Sequence, residues 1–248
     1  MRELLSSGER LEPLGGGMSI VVSDDHPFGT DAILLADFAN VRSGDTVCDL
    51  GTGCGIIPLL ICKNSRAKSV DAVDIQPKAC AQLEKSVGIN SLSDKLRVHC
   101  ADLRLIKGVL PLGAYDVVTM NPPYKPVGTG IESSSDAEKI ARHETECTLD
   151  DAVSAAKKLL RFGGRFCLCH RPERLCDITV SMRNGGIEPK RIRFVVQKHG
   201  KRPWLVLVEG RSGGKPHLTV EPELTIKSTD GSDSEELLRI FGDYREGH

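Results

Sequence analysis

Two adjacent prolines directly after an apolar run limit how this chain can fold more than any other feature. Residues 117–124 read Val-Val-Thr-Met-Asn-Pro-Pro-Tyr. Because proline lacks a backbone N–H and has a fixed φ, this pair can neither continue a strand ladder nor enter a helix. The pattern predicts a strand that ends at Met120 and a stiff loop that holds Asn121 and Tyr124. In open α/β sheets, ligands bind at the carboxyl ends of the strands.

The chemistry that suits such a loop is attack by a planar amino nitrogen. The nitrogen of an adenine, a cytosine or an amide is a poor nucleophile, because its lone pair is delocalised. An Asn121 carboxamide oxygen and a carbonyl next to a proline can accept its two hydrogens, and Tyr124 can stack on a base. We therefore predict catalytic roles for Asn121, Pro122, Pro123 and Tyr124. The alternative is an ordinary Asn-Pro turn after an edge strand.

A second constellation lies earlier in the chain. The run Thr46–Leu50 predicts a buried strand, which leads into Gly51-Thr52-Gly53-Cys54-Gly55 and then an apolar helix. Alternating glycines let the backbone approach a ligand closely and leave N–H groups free at the helix start. The dinucleotide fingerprint requires a further glycine where Ile56 stands, so binding of a nicotinamide dinucleotide is disfavoured.

Two acids follow the next predicted strands. Asp74 ends the strand Ser69–Asp74, nineteen residues after Gly55, where a carboxylate can accept both ribose hydroxyls of an adenosine. Asp102 follows the strand Leu96–Cys100 and can accept from an adenine amino group, although turns also favour aspartate. Together with the fourth strand, Tyr115–Met120, these ends predict a cofactor pocket beside the reactive loop.

The charge distribution indicates one positive surface on a nearly neutral chain. The formal net charge is −1, yet residues 157–202 carry thirteen Lys and Arg against three acids, and residues 221–246 carry eight acids against three bases. A positive face suits an RNA backbone, and Lys198, Lys201 and Arg202 are its predicted contacts. Ordinary solvated helix and strand faces are the alternative.

The nine cysteines include no Cys-x-x-Cys pair. An odd number spread through apolar patterns indicates reduced core residues in a cytoplasmic protein rather than a metal or disulfide framework. No apolar stretch approaches the length of a membrane span. We expect neither a bound metal, nor a membrane contact, nor an obligatory protein partner.

The remaining segments complete the expected organisation. Residues 1–22 look irregular up to a short strand at Met18–Val22, and residues 125–146 are a long polar loop in which Arg142 could meet a phosphate or belong to a helix cap. Strands at residues 191–197 and 204–210 predict an antiparallel pair. We expect an N-terminal extension with the first helix (1–40), a catalytic domain (41–228) and a tail with a short helix (229–248).

Taken together, several segments resemble the amino-methylating S-adenosylmethionine-dependent methyltransferases: Asp49–Gly55, Val73-Asp74-Ile75, Asp102-Leu103 and Asn121-Pro122-Pro123-Tyr124. Further segments, residues 28–35, 141–142, 207–210 and 213–214, resemble the bacterial tRNA(Val) adenine-N6 methyltransferases, which modify a purine beside the anticodon.

The resemblance implies a Rossmann-like α/β class I fold, with a seven-stranded mixed sheet, one antiparallel strand and helices on both faces. It implies S-adenosyl-L-methionine as the cofactor and tRNA as the substrate. The cofactor-binding residues that it implies are Thr30, Asp49, Gly51, Gly53, Gly55, Asp74, Ile75, Asp102, Leu103 and Asn121. The substrate-binding residues that we predict are Tyr124, Arg142, Lys198, Lys201 and Arg202.

Three other functions are compatible with parts of the pattern. Protein glutamine N5-methyltransferases share Asn-Pro-Pro-Tyr, because an amide presents the same planar nitrogen, but they usually carry a helical domain ahead of the core. Guanine-N2 methyltransferases of ribosomal RNA tend to have Phe in the last motif position. A non-catalytic nucleic-acid adaptor would retain the fold without turnover, and the intact glycines, Asp74 and Asn121 argue against it.

Overall fold

The structure, a computed structural model, describes residues 5–122 and 147–244 as an α/β fold. In those ranges the strands are β1 (Glu9–Gly15), β2 (Met18–Ser23), β3 (Thr46–Leu50), β4 (Ser69–Asp74), β5 (Leu96–Cys100), β6 (Tyr115–Met120), β7 (Leu160–His170), β8 (Ile187–Val196), β9 (Pro203–Ser212), β10 (Thr219–Val220) and β11 (Leu224–Thr225). The α-helices are α1 (Thr30–Phe38), α2 (Ile56–Asn64), α3 (Pro77–Ile89), α4 (Leu149–Leu159), α5 (Leu175–Asn184) and α6 (Glu235–Phe241).

One mixed sheet organises the molecule. Its strand order is β10-β8-β9-β7-β6-β3-β4-β5, and β11 also pairs with β8. Among the described pairings of this sheet, β9 is antiparallel to both of its neighbours and the others are parallel. The predicted fold class and single antiparallel strand are confirmed.

The predicted number of seven strands is wrong, because residues 5–122 and 147–244 already contribute nine strands to the sheet. The two additional strands, β10 and β11, are two residues long and lie along the outer edge of β8. Two residues contain no alternation of apolar and polar side chains, so these strands form only because β8 offers them a partner.

The prediction that the first 22 residues are irregular before one short strand is also wrong. β1 and β2 form an antiparallel hairpin whose turn, Gly15 to Gly17, has φ values of 75°, 61° and 77°. Side chains of α3 and of the residue that follows it stabilise this hairpin. Asn90 Oδ1 accepts from the backbone N–H of Ser19, and Ser86 Oγ accepts from that of Val21, both at 2.9 Å. These bonds join residues more than sixty positions apart, so local sequence patterns do not reveal them.

Helices cover both faces of the large sheet. One buried cluster combines α1, α2, α3 and α6 with one face, and a second combines α4 and α5 with the other. The central strands are therefore buried on both sides, which explains their continuous apolar sequences. α4 begins with a capping box in which Thr148 and Asp151 exchange hydrogen bonds.

The proposed division at residues 40/41 and 228/229 stays a prediction. Leu34 and Leu35 of α1 share their buried cluster with Leu237 and Phe241 of α6 and with Leu59 of α2. The N-terminal, central and C-terminal segments therefore contribute to one core cluster.

All nine cysteines are free, but only six of them are buried; Cys100 and Cys176 are exposed and Cys147 is half-buried. The prediction that they are core residues is thus wrong for those three. Among the described residues, no helix is long and apolar enough to cross a membrane, and no group of three or more His, Cys, Asp or Glu side chains could hold a metal ion.

Candidate active site at the carboxyl edge of the sheet

A cavity of about 420 Å³ opens where the parallel strands end. Four successive strand ends of the sheet contribute to it, β6, β3, β4 and β5. It is lined by Asp31, Gly51, Gly53, Val73, Asp74, Ile75, Gln76, Ala101, Asp102, Leu103, Met120, Asn121, Pro122 and Cys147. The structure therefore brings the glycine loop, the two strand-ending acids and the Asn-Pro loop together around one cavity.

The glycine loop forms the wall between β3 and α2. Gly51, Gly53 and Gly55 have φ values of 63°, 54° and 85°, in the left-handed region that L side chains rarely adopt. A Cβ on Gly55 would lie 2.1 Å from Leu83, whereas a Cβ on Gly53 would meet no atom within 4 Å. Gly55 thus allows close packing on α3, and Gly53 leaves its side of the cavity open to a ligand.

Asp74 fastens this loop to the end of β4. Its Oδ2 accepts from the Gly53 N–H at 2.8 Å, and its Oδ1 accepts from the Gln76 N–H at 2.9 Å. An ionised carboxylate offers about four acceptor positions, so the side chain keeps capacity for ligand hydroxyls. The next residue, Ile75, is 45% exposed and lines the cavity. Its side chain gives the cavity an apolar surface on which a flat ring can pack.

Asp49 is buried within β3, two residues before the first loop glycine. Its Oδ1 accepts from Thr119 Oγ1 at 2.6 Å. In the described part of the chain, its Oδ2 and the buried Thr52 Oγ1 lack a partner in good hydrogen-bond geometry. Burial raises the pKa of Asp49 to about 7, against the lowering effect of its hydroxyl neighbours. Asp49 does not line the cavity, so it can act on a ligand there only through its charge.

Asp102 is already engaged by a neighbour. Arg104 donates to it through its backbone N–H at 2.8 Å and through its guanidinium at 2.6 to 3.0 Å. These side-chain bonds hold the pKa of Asp102 below its usual range. Asp102 lines the cavity beside Leu103 as predicted, but an adenine amino group would have to share its oxygens with Arg104.

Asn121 lies on the cavity wall directly after β6. Its Nδ2 donates to Asp31 Oδ2 at 3.3 Å, and its Oδ1 accepts from the Cys169 thiol at 3.0 Å. Pro122 lines the cavity next to it. Pro123, Tyr124 and Arg142, which we predict to be catalytic or substrate-binding, lie outside the described residues.

Some of the predicted cofactor-binding residues do not line the cavity wall. Gly55 and Asp49 lie behind it, and Thr30 is exposed at the start of α1 and does not line the cavity. Its neighbour Asp31 does, and that acid is not among the predicted site residues. The signal for Asp31 is its place in residues 28–35, the segment that resembles the tRNA(Val) adenine-N6 methyltransferases.

Cys169 is also absent from the predicted site. It lies on β7, whose ladder with β6 pairs Met120 with Leu168, so that Cys169 comes level with Asn121. Nothing in the sequence says that this strand is the neighbour of β6.

The basic residues Lys198, Lys201 and Arg202 form the exposed tip between β8 and β9. Because β9 is antiparallel to both β7 and β8, β8 runs in the same direction as β7, and its carboxyl end lies at the cavity edge. β6 and β8 are three strand spacings apart in the sheet, a distance of about 14 Å. Trp204, at the start of β9, is half-buried and packs against the α1 face of the core.

Comparisons with known proteins agree with this architecture. The TRM5/TYW2 methyltransferase domain family matches residues 36–148. The tRNA1(Val) (adenine(37)-N6)-methyltransferase of Tolumonas auensis is 29% identical over 217 residues, which are 87% of this chain and 88% of that protein.

Two solved structures share the fold. A predicted O-methyltransferase from Agrobacterium tumefaciens has a TM-score of 0.68 at 20% identity, over 88% of this chain and 96% of that one. P. horikoshii TYW2 in complex with MeSAdo has a TM-score of 0.56 at 14% identity, over 83% and 72% of the two chains. The matches confirm the resemblance that the motifs indicate and the fold that it implies.

Proposed function

We propose that this chain is an S-adenosylmethionine-dependent methyltransferase that methylates the N6 nitrogen of an adenine in tRNA, near the anticodon. The observation that carries the proposal is that a single cavity is lined by the glycine loop, by Asp74 and by Asn121. The names of the curated relatives support the choice of base and of RNA.

The residues around the cavity fit the cofactor. Asp74 would accept from the ribose hydroxyls, Ile75 and Leu103 would contact the adenine ring, and the open side of Gly53 would accommodate the rest. Asp49 lies behind the cavity wall, and in its ionised form its charge would favour a cationic amino group bound in the cavity. When bound, the cofactor supplies an electrophilic methyl group on a positively charged sulfur.

Asn121 would hold the target nitrogen. Its carboxamide oxygen can accept from the adenine amino group, and this bond strengthens as the nitrogen becomes pyramidal, which favours the transition state over the ground state. The protein otherwise acts by positioning the two reactants in line. Stacking by Tyr124 and a phosphate contact by Arg142 are further parts of this proposal.

The tip formed by Lys198, Lys201 and Arg202 would bind RNA phosphates. It lies on the same edge of the sheet as the cavity, so a nucleic acid can contact both at once. Free cysteines throughout the chain suit a reducing compartment. We therefore propose the cytoplasm as the location of the enzyme.

The test is methyl transfer in vitro followed by nucleoside analysis. Purified protein, S-adenosylmethionine with a labelled methyl group and tRNA should give labelled N6-methyladenosine, and tRNA from cells without the gene should lack one such modification. Label in a protein glutamine would establish the amide-modifying alternative instead. No thermal shift with S-adenosylmethionine would indicate the non-catalytic adaptor.

A further inference from the structure

The two ends of the Asn121 carboxamide contact partners of opposite polarity. Asp31 offers carboxylate oxygens, which in the ionised form only accept, and one of them faces Nδ2 at 3.3 Å. Cys169 presents a thiol to Oδ1 at 3.0 Å. A carboxamide turned by 180° would place its oxygen against the carboxylate and its N–H₂ against the thiol. The observed orientation is therefore the favourable one.

The thiol keeps its proton. Cys169 is fully buried, and burial raises the pKa of its thiol well above the usual range, with the charges of Asp31 and Asp49 acting in the same direction. A thiol whose deprotonation is disfavoured by burial can donate to the carboxamide oxygen that lies 3.0 Å from its sulfur. The contact is thus a fixed S–H···O hydrogen bond.

From this geometry we propose that Cys169 is a positioning residue, which with Asp31 locks the flip state of Asn121 so that its Oδ1 faces the target amino group. The inference rests on the proposed function, because it takes Asn121 as the residue that contacts the substrate. The Oδ1 atom has two lone pairs. The thiol occupies one, and the other is available to a substrate N–H.

The lock matters because an amide turned the wrong way opposes the reaction. Its N–H₂ group would face the amino group of the substrate, donor against donor, and the interaction that grows in the transition state would be lost. One neutral hydrogen bond contributes about 0.5 to 1.5 kcal/mol. Removing the thiol should therefore lower kcat by roughly three- to tenfold and leave KM for both substrates nearly unchanged.

The chain contains a matched control on the same strand. Cys167 lies two residues before Cys169, on the same side of β7, and is equally buried, but its thiol contacts Glu209 at 3.9 Å rather than Asn121. Cys167→Ala and Cys169→Ala remove the same atoms from the same strand. Their melting temperatures report any shared structural cost.

The kinetic experiment compares Cys169→Ala, Cys169→Ser and Cys167→Ala. We expect the fall in kcat in Cys169→Ala, recovery of most of it in Cys169→Ser, whose hydroxyl also donates, and no such fall in Cys167→Ala. Equal losses in the two alanine variants, or no recovery with serine, would overturn the lock.

A second readout needs no substrate. In ¹⁵N-labelled protein, the side-chain amide signals of Asn121 are identified by their loss in Asn121→Ala. We expect them to shift or broaden in Cys169→Ala and to stay in place in Cys167→Ala. Unchanged signals in Cys169→Ala would overturn the inference even if methylation of tRNA is confirmed. If these signals change in Cys169→Ala but the protein methylates no tRNA, the proposed function is rejected and the positioning of Asn121 by Cys169 still holds.

Discussion

The backbone N–H of Gly53 donates to Oδ2 of Asp74 at 2.8 Å and so ties the glycine loop to the end of the neighbouring strand. A second hydrogen bond, from the Gln76 N–H to Oδ1, holds the other oxygen of the same carboxylate. Asp74 therefore both holds the glycine loop in place and presents hydrogen-bond acceptors to a ligand. A substitution of Asp74 removes both contributions.

Asp74→Ala should weaken binding of S-adenosylmethionine by about tenfold or more. Hydrogen bonds to a charged acceptor contribute on the order of 1.5 to 3 kcal/mol, and the variant loses those to the ribose as well as the anchor of Gly53. Isothermal titration calorimetry measures the change, and circular dichroism checks that the variant is folded. Unchanged affinity in a folded variant would remove Asp74 from the site.

Asp49→Asn should stabilise the protein at high pH relative to the wild type. The folded pKa of Asp49 is raised to about 7 from 3.8, so its contribution to stability is fully present below about pH 4 and is lost as the pH rises to about 7. The difference in unfolding free energy between Asp49→Asn and wild type should therefore grow by about 2 to 3 kcal/mol between pH 5 and pH 8. Urea unfolding at several pH values measures it, and a constant difference would contradict the raised pKa.

Asn121→Ala should abolish most turnover without unfolding the protein. Asn121 is only partly buried, so its truncation leaves no large core cavity. Removing one preorganised partner of the reacting group typically costs about 10² to 10³ in rate, here mainly in kcat. Single-turnover methylation of tRNA measures the loss, and calorimetry should show that the cofactor still binds. Near-normal methylation would reject the role of Asn121.

Replacement of Lys198, Lys201 and Arg202 by alanine should flatten the salt dependence of tRNA binding. Each phosphate contact contributes about 0.9 to the slope of log K against log salt on duplex nucleic acid, so three lost contacts should lower it by about 2 to 3. Fluorescence anisotropy at several salt concentrations measures the slope.

The matched control removes three exposed basic residues from the opposite edge. Arg42 precedes β3, and Arg66 and Lys68 precede β4, so these side chains lie near the amino ends of the strands. Their replacement should leave the slope unchanged. An equal effect of both triple variants would mean that the tip between β8 and β9 has no special part in binding.

The sequence by itself determined the parts of the site that lie within single segments. β3, β4 and β6 have the bounds predicted for them, because strands buried on both faces are largely apolar runs and Pro122 ends the last one locally. Gly51, Gly53 and Gly55 have positive φ values, which glycine adopts readily because it has no Cβ.

Only the tertiary structure decided which segments became neighbours. The thiol of Cys169 and the carboxylate of Asp31 reach Asn121 from residues 48 and 90 positions away in the chain, because the sheet order puts β7 beside β6 and because α1 starts at the cavity edge. β10 and β11 likewise exist only as partners of β8. A local pattern records whether a segment is buried and which way its side chains alternate, but the choice of partner is made by packing the whole sheet, and no single segment contains that information.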